Sequence, residues 1–112
     1  MFRTEDQQKN LCKSCPLAKT ANIIGDGVVL LLLRELLTGP KRFKDLEQAL
    51  GSVSTRTITD KLGFLEEEGI LTRKEYKEMP PKVEYTLTKK GKALKSILNH
   101  MVKYGEAYLK GN

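Results

Sequence analysis

Histidine occurs once, cysteine twice and tryptophan not at all in these 112 residues, and the shortages close off much chemistry. A structural zinc site takes about four Cys or His ligands. Cys12, Cys15 and His100 fall short of that within one chain, so no metal is expected unless two chains pool their cysteines. There is no histidine cluster, no paired carboxylates and no nucleophile elbow, and Gly25-Asp26-Gly27 lacks the following GK[ST] of a phosphate loop. An enzyme is therefore not expected, and no cofactor is implied. His100 has no acid, base or nucleophile motif beside it and reads as a helix-surface residue. Long apolar runs are also missing. The longest, Val28 to Leu33, meets Arg34 and Glu35, well short of the roughly 18 to 20 residues that cross a bilayer. The first ten residues, MFRTEDQQKN, hold no apolar core of a secretory signal. A cytoplasmic chain without a membrane partner is expected, with both cysteines as reduced thiols.

What is abundant is positive charge. The formal net charge is +6 and the pI about 9.4, which favours a polyanionic partner. The excess is concentrated: Arg73, Lys74, Lys77, Lys82, Lys89, Lys90, Lys92 and Lys95 face only Glu75, Glu78 and Glu84 over the same stretch. The length suits one domain with a core of modest size.

Residues 1–11 are polar and read as a flexible arm, leaving 12–112 as the folded domain. In CKSCP, Pro16 suits a first helical position and leaves Cys15 near the N-cap. Leu17, Ala21 and Ile24 give that helix an apolar side, and Gly25-Asp26-Gly27 breaks it. Val28 to Leu37 is apolar nearly all round and reads as a buried central helix, ended by Gly39 and Pro40. Phe43 to Leu50 follows as a short amphipathic helix, then the tight connector Gly51-Ser52-Val53.

The next helix, STRTITDKLGFLEEEG over 54–69, organises the rest. Ser54 is a good N-cap, Gly69 a stop, and Ile58, Leu62 and Leu65 fall at i, i+4 and i+7 on one inward stripe. Thr55, Arg56, Thr59, Asp60, Gly63 and Glu67 lie on the outward arc. Its first half is short, hydroxylated and basic, whereas Glu66, Glu67 and Glu68 close it with acid, so only the first half suits phosphate. Two alternating stretches, Leu71–Tyr76 and Val83–Leu87, then flank the turn-rich 77–82 segment and predict a hairpin. Thr88 is a candidate N-cap for one last helix carrying Leu94, Ile97, Leu98, Met101, Val102, Tyr104 and Tyr108. That is more apolar surface than a lone terminal helix hides, and a two-fold partner would cover it; folding back on its own domain is the alternative.

The order helix, turn, helix, hairpin, with CPLAKTANIIGDG, LLLLRELLTGPKRFKDLEQAL, STRTITDKLGFLEEEGILTRKEY and PPKVEYTLTKKGKAL in succession over Cys15 to Leu94, resembles the HxlR-type winged helix-turn-helix regulators, which share the MarR-like architecture. The resemblance implies a mainly α fold with a small β-hairpin wing (α+β) and a homodimer formed by the N- and C-terminal helices. It further implies that helix 54–68 enters the major groove of a double-stranded operator while wing 71–87 lies on the backbone or minor groove. Gly27 and Val28 depart from the family, where a lysine and a tryptophan are usual, so packing under the second helix and any effector pocket lined by the indole do not carry over.

On this reading Arg56 is the side chain able to make a bidentate contact with guanine. Ser54, Thr55, Thr59 and Lys61 join it, while Asp60 either holds the Arg56 guanidinium or repels phosphate. Lys41, Arg42 and Lys44, before and in the first helix of the motif, and Arg73, Lys74, Lys77 and Lys82 on the wing are expected to clamp phosphates, giving salt-dependent affinity with little specificity. A capping position beside Lys13 favours thiolate at Cys15. Some members of the resembled family sense oxidants, electrophiles or aldehydes through a cysteine at that place, with Cys12 here as a resolving partner; a small packed residue at a helix start is the plainer alternative. Two other readings compete: a winged-helix module that binds protein without sequence-specific DNA binding, and a thioredoxin-like oxidoreductase on CKSC, which lacks the preceding strand such enzymes have.

Overall fold

The computed structural model describes residues 15–111. The expected arm over 1–11 and the expected resolving thiol Cys12 lie outside the described residues. Along the chain come α1 (Pro16–Ile24), α2 (Gly27–Leu36), β1 (Lys41–Arg42), α3 (Phe43–Ala49), α4 (Thr55–Glu67), β2 (Leu71–Tyr76), β3 (Lys82–Leu87), α5 (Lys89–Lys92) and α6 (Lys95–Tyr108). The three strands form one antiparallel sheet in the order β1-β3-β2.

Local chemistry explains most of the boundaries. Cys15 caps α1, its Sγ accepting the Ala18 N–H at 3.5 Å with Pro16 behind it. Asp26 caps α2, with Oδ1 accepting from Val28 N–H at 2.9 Å and Val29 N–H at 3.2 Å, two of the donors that a first helical turn leaves unpaired. Ser54 does the same for α4 through the Thr57 N–H at 3.1 Å. At the other end of α4, Gly69 at φ +74° permits a Schellman closure. Its N–H bonds the Glu66 carbonyl, and the Ile70 N–H reaches back to Leu65.

The core is one cluster in which every layer takes part. Val29, Leu32, Leu33 and Leu36 line one side of α2, and Ile58, Leu62 and Leu65 form the inward stripe of α4 as their spacing requires. Leu46 and Leu50 enter from the α3 side, Ile70, Leu71, Tyr85 and Leu87 from the sheet, and Leu98 from α6. Helix α2 is thus central, although it is not buried all round, since Leu31 is exposed. Val28 is half-buried and packs against the cluster, so its place is filled by a smaller side chain than an indole. Among the described residues no single helix is long and apolar enough to cross a membrane; α1 and α2 taken together are, but they are bent by 81°.

The expected hairpin is present with one strand added to it, and the expectation of a single last helix needs correction. The sheet has three strands, because Lys41 and Arg42 pair with Tyr85 and Glu84; two residues are too few to show an alternation. The final helix is also broken. Thr88 caps α5, its Oγ1 accepting the Gly91 N–H at 3.2 Å, but the same hydroxyl donates to the Gly69 carbonyl at 2.6 Å. A Cβ at Gly91 would come within 2.2 Å of the Ile70 carbonyl oxygen. This first turn is therefore moored to the sheet, and Ala93–Leu94 redirect the chain before α6 begins.

Candidate nucleic-acid interface

The two helices α3 and α4, joined over 50–54, present the first turns of α4 to solvent. Ser54, Thr55, Arg56, Thr59 and Asp60 are all exposed. Their hydrogen-bonding states differ. Thr55 Oγ1 donates to Glu47 Oε2 at 2.7 Å, a bond between the two helices of the motif. Thr59 donates to the Thr55 carbonyl at 2.8 Å and Ser54 to Thr57 Oγ1 at 2.9 Å. Arg56, by contrast, has no ion-pair or hydrogen-bond partner among the described residues, and of the two alternatives for Asp60 the pairing with Arg56 is not formed. Its guanidinium is the one charged group on this turn whose donors are all free for a ligand.

Lys61 stands apart from the set in which the sequence reading put it. Three residues after Ile58 and four before Leu65, it lies on the flank of the buried stripe. Its Nζ is 2.7 Å from Asp26 Oδ2, with both side chains mostly covered. Asp26 thus caps α2 with one oxygen and holds α4 with the other. The hydrogen bond from Lys61 is the main cause of a carboxyl pKa below the ordinary value; partial burial opposes it and the Val29 and Val28 N–H groups assist. In sequence Asp26 reads only as part of a helix break. The usable signal was an Asp directly before an apolar helical run, an N-cap signature. Glu47 was likewise missed, since nothing local marks a carboxylate that meets a residue eight positions on.

The basic residues outside α4 do not form one surface. In strand geometry paired residues share a face and neighbours alternate. Arg42, Glu84 and Lys74 are aligned across β1, β3 and β2, with Tyr76 opposite Lys82 beside them. Arg73 is paired with Tyr85 on the other face, toward the core side. It meets Glu75 at 2.8 Å, and Glu75, then Tyr85, hold its guanidinium pKa above the ordinary value. Lys41, opposite Tyr85, shares that inner face. Lys44 on α3 and Lys77 in the hairpin turn are exposed. The sheet therefore divides a basic run that is continuous in sequence into two faces.

With this geometry in view the kinship is decided by the family description "HxlR-like helix-turn-helix", whose model matches residues 23–112. The chain belongs to the HxlR family. Among curated relatives, the uncharacterised HTH-type transcriptional regulator YdeP of Bacillus subtilis (strain 168) is 38% identical over 96 residues, 86% of this chain and 75% of YdeP. Among solved structures, the redox regulator HypR in its reduced form superposes with a TM-score of 0.79 at 35% identity, covering 83% of this chain and 92% of that one. A MarR-family transcriptional regulator from Porphyromonas gingivalis W83 gives 0.81 at 28% identity, covering 96% and 98%. This HxlR-family chain is thus a helix-turn-helix transcriptional regulator by kinship, with the α+β winged-helix fold of its MarR-family neighbours. Its relatives are regulators of transcription, which are not enzymes.

Proposed function

We propose that this HxlR-family regulator binds an operator sequence-specifically as a homodimer, with the first turns of α4 in the major groove and the β2–β3 hairpin on the adjacent backbone or minor groove. The observation that carries the reading is Arg56, exposed at the open end of a rigidly capped helix with every donor unoccupied. A bidentate guanidinium contact with guanine O6 and N7 is worth about 1–3 kcal/mol of discrimination against a wrong base. Ser54, Thr55, Thr59 and Asp60 surround it; the three hydroxyls are set by local bonds, of which Thr55 to Glu47 ties α4 to α3. Arg42, Lys44, Lys74, Lys77 and Lys82 supply phosphate contacts, and Lys41 and Arg73 add charge from the inner face. Lys61 is committed to Asp26 and is not among the proposed contacts.

The effector is proposed to be a small electrophile or oxidant acting at Cys15, which is exposed and has its sulfur at the start of α1. HypR, known in reduced and oxidised forms, supports that choice, and the fold and kinship fit a cytoplasmic protein.

The test is binding to oligonucleotides selected from a random pool by the wild type. Arg56→Ala is expected to bind selected and scrambled duplexes alike, whereas Lys77→Ala weakens both in proportion. Wild-type selectivity in Arg56→Ala would remove Arg56 from the reading role. If the wild type selects no duplex and its retention does not fall with salt, a protein-binding winged helix becomes the better reading.

A further inference from the structure

The outer face of the hairpin carries an arrangement that phosphate binding in general does not require. The Tyr76 ring has Lys74 Nζ 4.9 Å from its centroid and Lys82 Nζ 4.8 Å from it. Its hydroxyl donates to Glu84 Oε1 at 3.3 Å, and the other oxygen of Glu84 lies 3.5 Å from Lys82 Nζ. Strand register produces the cluster: Tyr76 is directly opposite Lys82 and Lys74 directly opposite Glu84, with Arg42 on the far side of Glu84. An aromatic face attracts ammonium groups through its quadrupole. A freely rotating lysine loses side-chain entropy when it binds phosphate, and one already held against a ring has less to lose.

We infer that Tyr76 is a positioning residue of the wing, holding Lys74 and Lys82 together as a preformed seat for DNA phosphates, with Glu84 fixing the ring through its hydroxyl. Arg42, Lys74 and Lys82 outnumber Glu84, so the cluster keeps a net positive charge when a phosphate approaches. The inference rests on the DNA-binding reading above, because the ligand is the backbone of the same duplex.

The experiment measures binding of the full chain to a mixed-sequence duplex of about 30 base pairs as a function of salt, where each phosphate contact adds about 0.9 to the slope of log K against log salt. Tyr76→Leu is expected to lower the slope by about one to two, as Lys74→Ala with Lys82→Ala does. Adding Tyr76→Leu to that double variant should change nothing further. Tyr76→Phe, which keeps the ring, is expected to retain most of the wild-type slope. A residue with only a structural role would lower Tm without altering the slope, and its effect would add to that of the lysine pair. A second measurement needs no variant to fold: in the free wild type, proton NMR should find the side-chain methylenes of Lys74 and Lys82 shifted upfield by the ring. A wild-type slope in Tyr76→Leu, additivity with the lysine pair, or unshifted methylenes would overturn the inference. Failure of the wild type to bind any duplex at low salt would instead overturn the DNA-binding reading.

Discussion

Asp26 does two jobs with one carboxylate, and the consequence is a pH-dependent stability. Its Oδ1 caps α2 and its Oδ2 holds Lys61 on α4. The folded-state pKa lies below the ordinary 3.8. Because folding lowers this pKa, the contribution is fully present above the unfolded value and is lost as pH falls through the folded one. Asp26→Asn can still cap but cannot pair as an ion, so it should be less stable than wild type at pH 7, and the gap should begin to narrow as pH falls below about 4. Thermal melts at pH 7 and pH 3 check this; a gap as wide at pH 3 as at pH 7 would dissociate the effect from the carboxylate charge. Cys15 poses the other question at this scale. An exposed sulfur at a helix start is open to an oxidant. Diamide treatment is expected to change operator affinity in the wild type by roughly tenfold, about 1.4 kcal/mol, and to leave Cys15→Ser unaffected. Equal responses would mean that the thiol only caps its helix.

Among the elements, α4 and α5 show two ways a short helix is held. α4 is closed at both ends by its own residues and fixed by an inward stripe of Ile58, Leu62 and Leu65, and Lys90 Nζ bonds the Glu68 carbonyl past its end at 2.6 Å. α5 spans only four residues, too few to be stable alone, and exists because Thr88 and Gly91 dock it on the start of β2. Gly91→Ala would push a methyl into the Ile70 carbonyl, a backbone group that cannot rotate aside. The expected cost is about 1–3 kcal/mol, and Tm should fall by several degrees. The measurement is a thermal melt against Lys92→Ala, an exposed neighbour that should change little. An unchanged Tm in Gly91→Ala would show that α5 does not need this close approach.

At the scale of the whole molecule, α6 has more apolar surface than the described residues cover. Only Leu98 is buried along it, while Met101, Val102, Tyr104 and Tyr108 are between 47% and 74% exposed. Beside it lies a groove of about 510 Å³ lined by Leu30, Leu31, Leu37, Leu98, Met101 and Val102. A surface patch of this kind marks an association site, and a two-fold pairing would set two α4 helices for half-sites about 34 Å apart. Sedimentation equilibrium at micromolar concentration is expected to give a dimer for the wild type and a monomer for Met101→Lys with Val102→Lys, the latter with full secondary structure and far weaker operator binding. A monomeric wild type that still binds its operator fully would end the two-fold reading.

The amino-acid sequence by itself determined what depends on neighbours along the chain. Ser54 and Gly69 punctuate α4, the spacing of Ile58, Leu62 and Leu65 chooses its inner side, and alternation over 71–76 and 83–87 marks the hairpin, with β3 beginning one residue earlier at Lys82. Caps, turns and periodicity act over a few residues and can be read in order. Only the tertiary structure decided which of these surfaces meet. The pairing of Lys41 and Arg42 with β3, the break before α6, the reach of Lys61 to Asp26 and the placing of Lys74 opposite Glu84 each require a partner distant in sequence or a register set by the sheet. Those partners are chosen by how the core closes, which no local pattern encodes.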